Sequence, residues 1–246
     1  MKTDPWLFVE VGGSSIQTAQ RDPAGRFWFA PGLVRNPGRP IALACPGLIR
    51  DGRVRYATNL GWPDEADPGR ELGVEGIALV MNDAEAAAVG ESVLRTGDAP
   101  TLDLLYVTLG TGVGSARVRD GAASYLDLAH RHVGGTNYCA GCRSVGCLNS
   151  LLESRRLPPH LTDEDQAFVA RTLAAALVDL APDQDAPLVL GGGIARRYAA
   201  IAARLDHLVP NPTTLTRAPA EAKSAAYAGL DYLSRRRPAA SGPVWR

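Results

Sequence analysis

The apolar positions of this chain fall into short runs, several of them closed by glycine. Trp6-Leu7-Phe8-Val9-Glu10-Val11 ends in Gly12-Gly13-Ser14-Ser15, and Ile16-Gln17-Thr18-Ala19 then takes up a strand-like alternation, so the opening predicts strand, glycine turn, strand. Phe27-Trp28-Phe29 predicts a third strand, and Ile41-Ala42-Leu43-Ala44-Cys45 a fourth that is closed by the turn Pro46-Gly47. The eleven residues between Phe29 and Ile41 include Pro31, Gly32, Pro37, Gly38 and Pro40, which leaves no place for a helix. Ile77-Ala78-Leu79-Val80-Met81 reads as a buried strand, and the alanine-rich residues that follow Asn82-Asp83 read as a tightly packed helix. Asn82 and Asp83 therefore stand at a strand-to-helix junction.

Residues 102–109 begin the same pattern again: an apolar strand, the turn Gly110-Thr111-Gly112-Val113-Gly114, and the returning strand Ser115-Ala116-Arg117-Val118. Further on come a helix over 163–180, a strand over 187–190 that ends in Gly191-Gly192-Gly193, and an alanine-rich helix over 220–237. Strands alternating with helices in two similar halves predict an α/β protein of two domains around a central cleft. The boundaries expected are 1–100 for a small N-terminal domain and 101–219 for a larger C-terminal one. The helix over 220–237 packs back on the first domain, and 238–246 forms a disordered tail.

Composition narrows the partners. Of 246 residues 46% are hydrophobic and 21% charged, and Lys+Arg and Asp+Glu both count 26, so the formal charge is zero. That balance carries no electrostatic footprint for nucleic acid or a membrane surface. Arg235-Arg236-Arg237 reads as a solvated helix end. Met1-Lys2-Thr3-Asp4-Pro5 leads into the first strand without the pattern of a signal peptide, and no apolar run reaches membrane-spanning length. The expected location is the cytoplasm. Cys139, Cys142 and Cys147 fall within nine residues while Cys45 stands alone, a pattern that suits a metal site in a reducing compartment better than a disulfide framework.

Three glycine turns follow buried strands: Gly12-Gly13-Ser14, Gly110-Thr111-Gly112-Val113-Gly114 and Gly191-Gly192-Gly193. Such turns aim successive N–H groups at an anion, and the hydroxyls of Ser14, Ser15, Thr108 and Thr111 add donors. A single one is ordinary turn chemistry; three at matching places favour phosphate binding. Asp83 suits either a general base that takes a proton from a substrate hydroxyl, with Asn82 bonded to that substrate, or a plain helix cap. His130, Cys139, Cys142 and Cys147 supply the four ligands of a closed, structural zinc site, with His132 as the alternative histidine and buried reduced cysteines as the alternative explanation.

With these pieces in order the chain resembles the ROK family of sugar kinases and repressors, within the actin-like ATPase superfamily. Val9-Glu10-Val11-Gly12-Gly13-Ser14-Ser15 is similar to its first phosphate loop, and Thr108-Leu109-Gly110-Thr111-Gly112-Val113-Gly114 to its second. Pro46-Gly47-Leu48-Ile49 with Asn59-Leu60-Gly61-Trp62 resembles its substrate-side segments. Asn82-Asp83-Ala84-Glu85-Ala86-Ala87 resembles the signature that carries its base, Leu190-Gly191-Gly192-Gly193 its adenosine-side turn, and Cys142 to Cys147 the end of its zinc motif. The resemblance implies two ribonuclease H-like domains with a zinc segment over 127–149. It also implies ATP with Mg²⁺ as phosphoryl donor, Asp83 as general base, and a sugar held by Asn59, Asn82, Asp127, His130 and Asn149, with His130 also on zinc. No helix-turn-helix stands before the first phosphate loop, which speaks against the repressor branch.

Departures from the pattern carry expectations of their own. Glu10 replaces the aspartate that helps to place Mg²⁺, and the family's Glu-x-Gly-His and Gly-Cys-x-Glu become Asp127-Leu128-Ala129-His130 and Gly146-Cys147-Leu148-Asn149. These changes imply a pocket shaped for an amino sugar or a cyclitol. Alternatively the chain is a catalytically impaired relative that binds sugar or nucleotide as a sensor or structural partner, or a kinase that uses polyphosphate. The helix between the opening hairpin and the Pro-Gly strand is missing and 153–187 is short, so a homodimer is expected to cover the thinned walls.

Overall fold

The structure is a computed structural model that describes residues 5–33, 38–178, 186–222 and 224–236. The tail expected over 238–246 lies outside the described residues. Apolar runs buried on both faces form the central strands, as near-continuous Leu, Val and Ile sequences do when both sides are covered. The first sheet joins β1 (Leu7–Gly12), β2 (Ser15–Arg21), β3 (Phe27–Pro31), β4 (Ile41–Cys45) and β7 (Ile77–Asn82) in the order β3-β2-β1-β4-β7. The strands β1, β2 and β3 form an antiparallel meander, while β4 and β7 add in parallel. A small hairpin, β5 (Leu48–Arg50) with β6 (Arg53–Arg55), lies between β4 and β7 in the chain.

The second sheet repeats the plan strand for strand. It joins β8 (Leu104–Leu109), β9 (Val113–Arg119), β10 (Ala122–Tyr125), β11 (Leu188–Gly191) and β12 (Thr213–Leu215) in the order β10-β9-β8-β11-β12. Two helices, α2 (Asp83–Thr96) and α7 (Ala226–Arg235), lie in the core that the sheets share, where Phe8 and Ala42 from one sheet meet Tyr106 and Val189 from the other. Alanines at 84, 86, 87 and 88 let α2 approach both, and glycine lets it cross α7 at close range. A Cβ on Gly90 would stand 1.9 Å from the Ala225 carbonyl oxygen, and one on Gly229 would stand 2.0 Å from that of Ala86. No other residue type fits that crossing.

Two further cores close the outer faces. Beneath the second sheet pack α3 (Leu148–Leu152), α4 (Asp163–Leu177), α5 (Gly192–Arg197) and α6 (Ala200–Asp206). The first sheet's outer face is covered by the β5–β6 hairpin, the 3₁₀ turn Thr58–Leu60 and α1 (Pro68–Leu72), through Val54, Leu60 and Leu72. Among the described residues no helix lies between β3 and β4, and α4 is the one helix between α3 and β11. The last helix is shorter than its alanine content predicts. It begins at Ala226 because the Ser224 hydroxyl accepts the Ala226 N–H at 3.0 Å and donates to Glu10 Oε1 at 2.8 Å, which fixes a turn there. Among the described residues no helix is long and apolar enough to cross a membrane.

Candidate functional site

The glycine turns expected to bind phosphate come together although they lie far apart in sequence. Ser14 of the first, Gly110 and Thr111 of the second and Gly193 of the third line one cleft of about 380 Å³. The hairpin turn Gly13-Ser14 and Thr111 are in contact: a Cβ on Gly13 would stand 2.8 Å from Thr111 Cγ2. The third turn backs onto the second, since a Cβ on Gly192, where φ is +85°, would stand 2.6 Å from Thr108 Oγ1. Gly191 pairs with Thr108 in the sheet and leaves room for the Tyr106 hydroxyl. Beyond the turns the wall of the cleft is apolar and aromatic, formed by Leu157, Pro159, Leu161, Ile194 and Tyr198, with Arg197 beside them. Periodicity singles out none of these residues; they come from the segment after α3 and from α5 and its C-terminal cap, and meet only when the second sheet forms.

Asn82 and Asp83 divide the two duties that the sequence left open. Asn82 is the N-cap of α2: its backbone is extended, and its Oδ1 accepts from the N–H groups of Ala84 at 2.9 Å and Glu85 at 3.1 Å. Its Nδ2 donates to the Gly47 carbonyl at 2.9 Å, which holds the Pro46-Gly47 turn in place. Both polar ends of this buried amide are thus spent on backbone. Asp83, the first residue inside the helix, is relieved of capping, and its Oδ1 stands 4.0 Å from where a Cβ on Gly114 would be. It keeps a small exposed edge but is ringed by protein. Burial pushes its carboxyl up to about 6, against the opposing pull of the Ala84 N–H. The same charge helps to raise the Cys45 thiol, for which burial is the larger cause.

Asn59 and Asn149 meet at the second turn. A Cβ on Gly112 would lie 2.9 Å from Asn59 Nδ2 and 2.9 Å from Asn149 Oδ1. Asn149 is buried, and its Oδ1 accepts the Val113 N–H at 2.9 Å. Asp127 is exposed and bonds the Tyr125 phenol, whose proton is held by burial first and then by the charges of Asp127 and Asp83. Glu85 accepts the Tyr125 N–H. Tyr125 thus joins the acidic side of the site, a role that a lone tyrosine at a strand end does not advertise in sequence. Glu10 is buried beneath the first turn with its Oε1 bonded to Ser224, and does not line the cleft.

His130, Cys139, Cys142 and Cys147 offer four ligand atoms that all lie within 4.8 Å of one another. His130 Nδ1 is 3.8 Å from Cys139 Sγ and 4.0 Å from Cys147 Sγ. A tetrahedral ion of zinc's size would hold such atoms about 3.5–3.8 Å apart, so contraction of the widest pairs by up to about 1 Å would complete the cage. His132 is not in the cluster; its Nε2 faces Gly146 instead. With four protein ligands the cage leaves no open position, as in structural sites.

Comparison with known proteins agrees with this architecture. A glucokinase from Halalkalibacterium halodurans is 38% identical over 155 residues, 48% of this chain and 46% of the relative. A polyphosphate glucokinase from Mycobacterium tuberculosis is 34% identical over 103 residues, 39% of this chain and 38% of the relative. An N-acetylmannosamine kinase from Salmonella typhimurium is 29% identical over 152 residues, 57% of this chain and 51% of the relative. The chain spans about half the length, or less, of these curated relatives. A ROK family glucokinase from Streptomyces griseus, solved with glucose and AMPPNP, superposes with a TM-score of 0.68 at 19% identity, covering 94% of this chain and 99% of that one. An inorganic polyphosphate/ATP-glucomannokinase from Arthrobacter sp. strain KM gives 0.66 at 21% identity, covering 94% and 99%. The ROK family model matches residues 34–177, over half the chain, and with two sheets of one strand order around a cleft lined by three glycine turns, the chain belongs to the ROK family.

Proposed function

We propose that this protein transfers a phosphoryl group from ATP to a hydroxyl of a sugar or sugar-like small molecule. The observation that carries the reading is Asp83: a carboxyl free of capping duty, raised to about 6 and set beside the second glycine turn. A base of that strength is largely ionised at neutral pH yet binds a proton better than an ordinary aspartate. The acceptor hydroxyl oxygen forms the new bond to the γ-phosphorus as the bond to the β–γ bridging oxygen breaks, ADP leaves, and Asp83 receives the hydroxyl proton. The backbone and hydroxyls at Ser14 and Thr111 take the phosphates, beside a Gly110 whose N–H closes the turn onto the Gly112 carbonyl, and the apolar part of the cleft takes the nucleobase. Mg²⁺ bound to the triphosphate would offset its charge. Glu10, bonded to Ser224, orders the start of α7.

Asn59, Asp127 and His130, at the positions where the ROK pattern holds its sugar, are the residues assigned to the acceptor. Asp127 with Tyr125 in place of a longer acid favours an amino sugar or a cyclitol over plain glucose. Asn82 serves the acceptor indirectly by holding Gly47. The four-ligand cage suits zinc in a structural role. We further propose a cytoplasmic homodimer, supported by Trp28, which is 67% exposed on the edge strand β3. Sedimentation at micromolar concentration tests that assembly.

Transfer from ATP-Mg²⁺ across a panel of hexoses, amino sugars and cyclitols, with binding followed in parallel by thermal shift, tests the function. Turnover of one compound, abolished in Asp83→Ala, is the expected result. Binding of sugar or nucleotide without transfer, whatever the donor, would replace the kinase reading with that of a binding protein. Glu10's engagement with Ser224 is the observation that favours this second reading. Transfer from polyphosphate and not from ATP would mean that the apolar part of the cleft serves something other than a nucleobase.

A further inference from the structure

The short helix α3 stands between the cysteine cluster and the second phosphate turn, and it is fastened to both. On the turn side, the Ser154 N–H just past its end donates to the Gly110 carbonyl at 3.1 Å. Asn149, in its first turn, accepts the Val113 N–H through Oδ1 at 2.9 Å. The loop from Gly110 to Val113 is therefore gripped at both ends by one helix. On the other side α3 begins directly after Cys147, the last cysteine of the cage. The N–H groups of Leu148 and Asn149 donate to the carbonyls of Arg131 and Ala129, which flank His130, at 2.9 and 2.7 Å. The second polar end of Asn149, Nδ2, points at Cys139 Sγ at 3.9 Å.

A carboxamide is suited to this place because it accepts at one end and donates at the other. A glutamate, which the family pattern puts at this position, could accept the Val113 N–H but could not donate to the sulfur. The amide is 6% exposed and Gly112 packs where a Cβ would lie 2.9 Å from its oxygen, so it has little freedom to turn away. A metal in the cage would fix the position of Cys139 Sγ as the acceptor for Nδ2, whereas without it the sulfur is free to rotate away.

We propose that Asn149 is a positioning residue that couples occupancy of the cysteine–histidine cage to the shape of the second phosphate turn, so that donor binding depends on the metal. This rests on the reading of that turn as a phosphate site. The test uses the full chain, zinc-loaded or stripped by chelator with a thiol reductant present. Exchange of the Val113 amide and affinity for a non-hydrolysable ATP analogue are both measured. In the wild type, stripping should speed Val113 exchange and weaken the analogue by about ten-fold. Asn149→Leu, close in shape but unable to bond, should exchange quickly even when loaded, bind zinc roughly ten- to a hundred-fold more weakly, and respond no further to stripping. Asn149→Asp keeps the acceptor and loses the donor, so it should protect Val113 equally with and without metal; it carries the test should the leucine variant not fold. Unchanged Val113 exchange on stripping the wild type, or a wild-type response in either variant, overturns the proposal. Failure of the loaded wild type to bind the analogue would count against the donor site, while the exchange measurement still judges the strap by itself.

Discussion

Replacing Asp83 by Asn removes the titrating carboxyl and keeps an oxygen that can accept the Ala84 N–H, now at 2.9 Å. The carboxyl sits at about 6 in the fold and near 3.8 ordinarily, about two units, which corresponds to roughly 3 kcal/mol. The sign follows from proton binding. Between about pH 4 and 6 the native state holds a proton that the unfolded chain has released, so this group's contribution is fully present below pH 4 and is lost as pH rises through 6. The asparagine variant does not suffer that loss. It should match the wild type near pH 4 and exceed it by about 2–3 kcal/mol at pH 8, as read from urea unfolding at a series of pH values. Phosphoryl transfer should fall by about 10²–10⁴-fold in the same variant, and wild-type kcat/KM should rise with pH to a plateau above 6. A stability difference that does not change with pH, or a wild type more stable at pH 8, would refute the assignment of a buried, raised base.

Other perturbations test the packing around the site. Gly13→Ala places a methyl 2.8 Å from Thr111 Cγ2 and should raise the donor KM by about ten-fold, whereas adding Thr111→Ser removes that methyl and should restore it. Gly229→Ala drives a Cβ to 2.0 Å from the Ala86 carbonyl and should cost about 3 kcal/mol in urea unfolding, separating α7 from α2. Glu91, fully buried, accepts from the side chains of Arg95 and Thr216 and from the Arg217 N–H, so Glu91→Ala should lower stability by about 3–5 kcal/mol. The contrast variant Arg26→Ala, an exposed pair with Asp22, should change it by under about 1 kcal/mol.

Sequence by itself determined the central strands, the glycine turns that close them, the junction at Asn82-Asp83 and the four members of the cysteine–histidine cluster. These depend on short-range rules: apolar runs make strands, glycine ends them, and ligand residues at close spacing share a loop. The tertiary structure decided what those residues do with their polar atoms. Capping requires an extended backbone, so Asn82 caps α2 and Asp83 is released, a choice that two adjacent cap-forming residues leave open on paper. The end of β1 and the start of α7 are 214 residues apart, and only their meeting makes Ser224 the partner of Glu10 and starts the helix at Ala226. Asn149 reads only as a sugar ligand in sequence, because nothing local places Val113 within reach of its amide. The apolar part of the cleft was illegible for the same reason: Leu157 follows α3 while Ile194 and Tyr198 belong to α5 and its C-terminal cap, and they share a surface only after the second sheet has brought those segments together.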